Sequence, residues 1–196
     1  MPGRKKQDII LAGVGGQGIL SIAFVIDHAA IKEGLNIKQA EVHGMAQRGG
    51  AVQSHLRISS GPVFSDLVPR GEADMILSVE PLEALRYLDY LHPEGMVITS
   101  SAAFANIPDY PPLETVLERI RQVKRRIIVD SEKLAREAGS SKSQNMVMLG
   151  AASKYLIVSE ESLREFIRVL FASRGDQLVE TNFRAFQLGR DAADEK

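Results

Sequence analysis

The sequence predicts an α/β fold in three layers: a mostly parallel sheet, helices on both faces, and an inserted antiparallel hairpin. Three observations predict it. Short β-branched runs alternate with longer segments whose apolar residues recur at helical spacing. Glycine, proline and capping residues stand at the boundaries between them. One run, Ala51 to Ser59, alternates apolar and polar residues where the others are apolar throughout.

Taken in order, Asp8 to Ala12 is short, β-branched and closed by glycines, the pattern of a buried parallel strand. A helix follows from Gly16 to about Glu33, with Ile19, Leu20, Ala23, Phe24, Asp27 and Ala30 on one stripe, and Gly34 ends it. Asn36 to Val42 is a second strand. In Ala51 to Ser59, residues Val52, Ser54, Leu56 and Ile58 face one way and Gln53, His55 and Arg57 the other. Ser59 to Pro62 reads as a turn into a short returning strand at Val63 to Ser65.

The β–α rhythm then resumes. Met75 to Val79 is a strand, and Pro81 suits the first turn of a helix. Met96 to Ser100 is a strand, Leu113 to Lys124 a helix, and Ile127 to Val129 a strand. Asp130 and Ser131 are placed to cap a helix from Glu132 to Ala138. Asn145 to Tyr155, Glu160 to Phe171 and Gln177 to Ala193 read as helices, with Gly150 permitting a close approach. No repeat, linker or biased tract divides the chain, so residues 1–196 are expected to form one domain.

Composition excludes several classes. The formal net charge is −1, so no global field draws the molecule to nucleic acid or to an anionic membrane. The basic runs Arg4 to Lys6 and Lys124 to Arg126 read as solvated ends. No apolar run is long enough to span a bilayer. The basic N-terminus leads into a first strand rather than a signal peptide, so a cytoplasmic location is expected. With no cysteine, the chain has no thiolate nucleophile and no cysteine-ligated zinc or iron–sulfur site. The four histidines (His28, His43, His55, His92) lack metal-ligand spacing.

Two glycine segments could carry chemistry. Gly13, Gly15, Gly16, Gln17 and Gly18 follow a strand and open a helix, which makes the fold Rossmann-like. Glycines bring backbone N–H groups close to a ligand, and the helix N-terminus favours an anion such as phosphate. Glu41, at the end of the second strand, could take the acidic role on a ribose hydroxyl. The alternative is that these glycines only allow strand and helix to pack closely. In the second segment, His43 to Gly50, an imidazole, the amide of Gln47 and the guanidinium of Arg48 lie among glycines that include Gly49. Arg48 suits phosphate or carboxylate, and His43 could move a proton; a salt bridge to a neighbouring subunit explains the arginine equally well. Ser54, Ser78 and Ser100 lack a nucleophile elbow, and Glu80 and Glu83 fit a helix dipole better than acid–base work.

Gly13-Val-Gly-Gly-Gln-Gly-Ile-Leu20, followed by Glu41-Val-His-Gly-Met-Ala-Gln-Arg-Gly-Gly-Ala-Val-Gln-Ser-His-Leu-Arg57, resembles the gamma-type domain of 2-oxoacid:ferredoxin oxidoreductases. Glu72 to Leu77, Glu80 to Arg86 and Asn145 to Ala151 continue the likeness, which covers most of the chain. The His43-Gly-Met-Ala-Gln form is similar to the indolepyruvate branch, whose beta subunit matches best. The resemblance implies a single gamma-type domain that is inactive alone. It implies a large alpha subunit carrying thiamine diphosphate and the iron–sulfur clusters, with ferredoxin met through the complex. It also implies that this chain, holding no cofactor of its own, covers the active site and contacts coenzyme A through Gly13 to Gly18, Gln47, Arg48 and Gly49. Catalytic candidates are His43 and Arg48. A homo-oligomer of the isolated chain is compatible with this reading. The alternatives are a free-standing nucleotide-binding regulatory module, or the gamma subunit of a pyruvate or 2-oxoglutarate relative.

Overall fold

The computed structural model describes residues 5–41, 49–105 and 107–194. The expected layers are present. In chain order the elements are β1 (Lys6–Val14), α1 (Ile19–Lys32), β2 (Asn36–Glu41), β3 (Ala51–Ser59), β4 (Ala73–Ser78), α2 (Pro81–Arg86) and β5 (Leu91–Ser100). They continue with α3 (Leu113–Arg121), β6 (Arg126–Val129), α4 (Ser131–Ala138), α5 (Gln144–Ala152), α6 (Glu160–Phe171) and α7 (Asp176–Ala192). One six-stranded sheet has the order β2-β3-β1-β4-β5-β6. Strands β1, β4, β5 and β6 are parallel, and β3 runs antiparallel to both of its neighbours.

The central strands are apolar throughout because both of their faces are covered. Ile9, Leu11, Met75, Leu77 and Ile98 point into a core shared with α1, α4, α5, α6 and α7. The intervening Ile10, Ile76 and Val97 point into a second, smaller core with α2 and α3. Alternate residues of one strand thus feed different cores.

The antiparallel hairpin is β2–β3, and no strand forms at Val63 to Ser65. Both edges of β3 are already paired, to β1 and to β2, so a third strand has no edge to join. The segment after β3 is held by side chains instead. The Arg57 guanidinium forks onto the buried Asp8 carboxylate at 3.0 and 3.2 Å and donates to the carbonyls of Ser65 and Leu67. His55 accepts a 3.1 Å hydrogen bond from the Val68 N–H, and its burial holds the imidazole pKa below the ordinary value. Two side chains of the polar face of β3, His55 and Arg57, are therefore internally bonded.

Helix α1 begins at Ile19, three residues later than Gly16, because Gly16 and Gly18 take left-handed φ values of 99° and 78°. Helix α4 is capped as expected, Asp130 Oδ1 accepting from the Lys133 N–H at 3.0 Å. Helices α5 and α7 cross with almost no space between backbones. A Cβ at Gly150 would lie 1.9 Å from the Phe186 carbonyl oxygen, and one at Gly189 would lie 1.9 Å from that of Val147.

Candidate functional site

The parallel strands bring the carboxyl ends of β1, β4, β5 and β6 to one edge, where open α/β sheets bind ligands. There the chain leaves β1 through the first glycine segment. Gly13 still belongs to the strand, paired with Val52; a Cβ on it would lie 2.6 Å from Ile19 Cδ1, so it lets α1 seat against β1. Gln17 folds back, its Oε1 accepting the Val14 N–H at 2.8 Å and its own N–H donating to the Val14 carbonyl at 3.0 Å. Gly16 and Gly18 supply the two left-handed steps, and an added Cβ at Gly16 would meet nothing within 4 Å.

Gly15 departs from the expected ligand donor. Its N–H donates to the Gly50 carbonyl at 2.8 Å and its carbonyl accepts from the Gly49 N–H at 3.3 Å. These bonds prolong the β1–β3 ladder beyond both strands and join the two glycine segments. Among the described residues, the N–H groups of Gly16, Gly18, Ile19 and Leu20 have no hydrogen-bond partner, nor does Gln17 Nε2. His43, Gln47 and Arg48 lie outside the described residues; Gly49, the next residue in sequence, is bonded to Gly15.

Glu41 does not stand beside the turn. Its register runs through Ser54 of β3 to Leu11 of β1, so β3 separates it from the first strand. Its charge instead acts on Asp27 of α1. Burial first, and Glu41 second, push the Asp27 carboxyl up to about 7, and Asp27 Oδ1 is buried with no hydrogen-bond partner. The sequence places Asp27 only on a helix stripe. An acidic residue among apolar ones on that stripe is the available signal.

The other strand ends carry a buried polar belt. Ser78 Oγ is buried, donates to the Glu80 carbonyl at 2.6 Å and accepts the Glu80 N–H at 3.3 Å, so it braces the turn after β4. The Glu80 carboxylate is buried and caps α2, accepting from the Glu83 N–H at 2.9 Å. It also accepts from the Phe104 N–H and the Tyr110 hydroxyl, which ties down the segment after β5. Burial, aided by that bond to Glu80, raises the Tyr110 pKa well above the phenolic range. Farther along, Ser100 Oγ lies 2.7 Å from Ser131 Oγ, which donates to Gln144 Oε1 at 3.1 Å. Asn145 closes the belt, its Nδ2 donating to the Gly18 carbonyl at 3.3 Å. Among the described residues, Leu20 and Phe104 are large apolar side chains exposed just after the ends of β1 and β5.

Backbone donors at a helix start suit an anion. Among the described residues there is no group of three His, Asp or Glu able to hold a metal ion, and no helix long and apolar enough to cross a membrane. No nucleophile lies against a base in the bonds described above.

Residues 8–192 match the family described as pyruvate ferredoxin/flavodoxin oxidoreductase. Subunit IorB of indolepyruvate oxidoreductase from Thermococcus kodakarensis is 38% identical over 201 residues, covering 97% of this chain and 98% of IorB. The corresponding subunit from Archaeoglobus fulgidus is 37% identical over 195 residues, covering 95% and 94%. Among solved structures, 2-oxoglutarate:ferredoxin oxidoreductase from Magnetococcus marinus, crystallised with 2-oxoglutarate, coenzyme A and succinyl-CoA, superposes with a TM-score of 0.81. That match is 24% identical and covers 98% of this chain and 32% of the other, so it shows a shared fold.

Proposed function

The chain belongs to the pyruvate ferredoxin/flavodoxin oxidoreductase family, and from that premise we propose that it is the small subunit of an indolepyruvate-type 2-oxoacid:ferredoxin oxidoreductase. The overall reaction converts an aryl-substituted 2-oxoacid, coenzyme A and oxidised ferredoxin to the acyl-CoA, carbon dioxide and reduced ferredoxin. A larger alpha subunit carries thiamine diphosphate and the iron–sulfur clusters, which supply decarboxylation and electron transfer. The absence of cysteine here is consistent with clusters on that partner. The assembly is cytoplasmic.

The observation that carries the role of this chain is the joining of the two glycine segments at Gly15 and Gly50. The N–H groups of Gly16, Gly18, Ile19 and Leu20, which have no partner among the described residues, fit coenzyme A phosphates, and the space at Gly16 admits them. Gln17 Nε2 adds a donor, the Arg48 guanidinium is suited by its chemistry to the same phosphates, and His43 remains the candidate for proton transfer. Whole-length similarity to IorB favours the aryl substrate over pyruvate or 2-oxoglutarate. The free-standing nucleotide-binding module loses its main support, because Glu41 lies across β3 from the turn.

The test is co-expression with a thiamine-binding polypeptide, anaerobic purification, and 2-oxoacid-dependent viologen reduction with and without coenzyme A. Indolepyruvate or phenylpyruvate turnover that needs both chains is expected. Activity only on pyruvate or 2-oxoglutarate overturns the substrate class. Arg48→Ala is expected to raise KM for coenzyme A, and an unchanged value removes Arg48 from the site.

A further inference from the structure

We infer that Asn145 is a positioning residue for the ligand of the first glycine turn; the inference rests on the function proposed above and deepens it. Asn145 sits at the start of α5, is 6% exposed, and lies far from the turn in sequence. Its amide is oriented at both ends. Oδ1 accepts the Met146 N–H at 3.0 Å within α5, and Nδ2 donates to the Gly18 carbonyl at 3.3 Å. The same carbonyl accepts from Ser21 and Ile22, so Asn145 adds a third donor to the group on which α1 begins.

The contact is steric as well. A Cβ at Gly18 would lie 2.4 Å from Asn145 Nδ2, so the amide rests directly on the Gly18 backbone. Asn145 is itself immobilised. Its neighbour Gln144 is bound through Ser131 to Ser100 at the end of β5, and α5 is wedged against α7 at Gly150 and Gly189. The amide therefore carries the fixed position of α5 to the turn, and the N–H groups of Gly18, Ile19 and Leu20 are aimed before the ligand arrives. Such preorganisation strengthens ligand binding without touching the ligand.

Asn145→Ala and Asn145→Asp in the assembled two-chain enzyme test this. The aspartate keeps the acceptor for Met146 and loses the donor to Gly18, so a folding defect confined to the alanine variant does not obscure the result. Both are expected to raise KM for coenzyme A about fivefold, the effect of losing one ordinary hydrogen bond. KM for the 2-oxoacid and kcat at saturation should stay near wild type. An unchanged KM for coenzyme A, or a fall in kcat alone, overturns the inference. Arg48→Ala in the same assay separates the two readings. If it raises KM for coenzyme A and the Asn145 variants do not, the positioning role fails and the proposed function stands. If no variant moves that constant, the coenzyme A assignment fails and this inference with it.

Discussion

Gly15 and Gly50 are hydrogen-bonded through their backbones at 2.8 Å, N–H of the first to carbonyl of the second. The bond fixes where the His43–Gly50 segment rejoins the fold, independently of any side chain. It also gives the glycines of the first turn separate roles. Gly13 serves packing, Gly15 serves pairing, and Gly16 and Gly18 serve chain reversal.

That division predicts an order of damage. Gly16→Ala meets only the backbone strain of a positive φ, about 1 kcal/mol. Gly18→Ala adds a collision with Asn145, for a total of roughly 3 kcal/mol. Urea midpoints should fall in that order; equal losses would contradict the contact between Gly18 and Asn145.

The crossing of α5 and α7 admits no side chain at either glycine. Gly150→Ala and Gly189→Ala should each cost about 2–3 kcal/mol, and thermal midpoints should drop by roughly 5–10 °C. A midpoint within a degree of wild type for either variant would mean that the helices can separate freely.

Asp27 makes stability fall with rising pH. Its carboxyl titrates near 3.8 when exposed and near 7 in the folded chain, so between these values the folded state binds the extra proton. Stability is then highest at the acid side of the window and is lost as pH rises through about 7. Asp27→Asn should flatten this dependence and stabilise the protein at pH 8 by roughly 1–2 kcal/mol, a figure reduced for partial solvent access. Urea melts at pH 5.5 and pH 8 read it directly; a variant with the wild-type slope would exclude Asp27 as the source.

Arg57 neutralises a carboxylate that is 1% exposed and anchors the carbonyls of Ser65 and Leu67. Arg57→Met leaves Asp8 with Lys6 as its remaining ion-pair partner and should cost about 2–4 kcal/mol. It should also open the segment after β3 to proteolysis near Phe64. Asp8→Asn combined with Arg57→Met should recover part of the stability but not the protease resistance.

The legible parts of the fold are those set by local pattern. The limits of β3 and α6 follow from alternation and from helical periodicity. The returning strand expected at Val63 does not form, because alternation and a turn describe a strand's faces, not whether a neighbouring edge is free. Glu41 lies at a suitable distance along the chain, but insertion of β3 moves β2 one place outward. Gly15 has the composition of a ligand donor, and only the register with Gly50 reveals its N–H as already bonded. Asp27 and Asn145 are not legible as site residues because their surroundings come from residues remote in sequence.

The position of β3 between β2 and β1 also bears on the order of assembly. Strands β1, β2 and β3 can close into a three-stranded antiparallel unit with α1 on one face, its pairs running from Glu41 with Ser54 to Lys6 with Ser59 and so falling within the first 59 residues. The parallel partner of β1 is β4, whose residue Asp74 lies 66 positions beyond Asp8. Local pairing forms sooner than distant pairing, because the shorter loop loses less entropy on closing. The N-terminal unit should thus nucleate while the rest of the chain is still emerging from the ribosome, and it offers β4 a ready template. Asn145 belongs to α5, far beyond that unit in the chain, so its contact with Gly18 is added only after the N-terminal strands have been made.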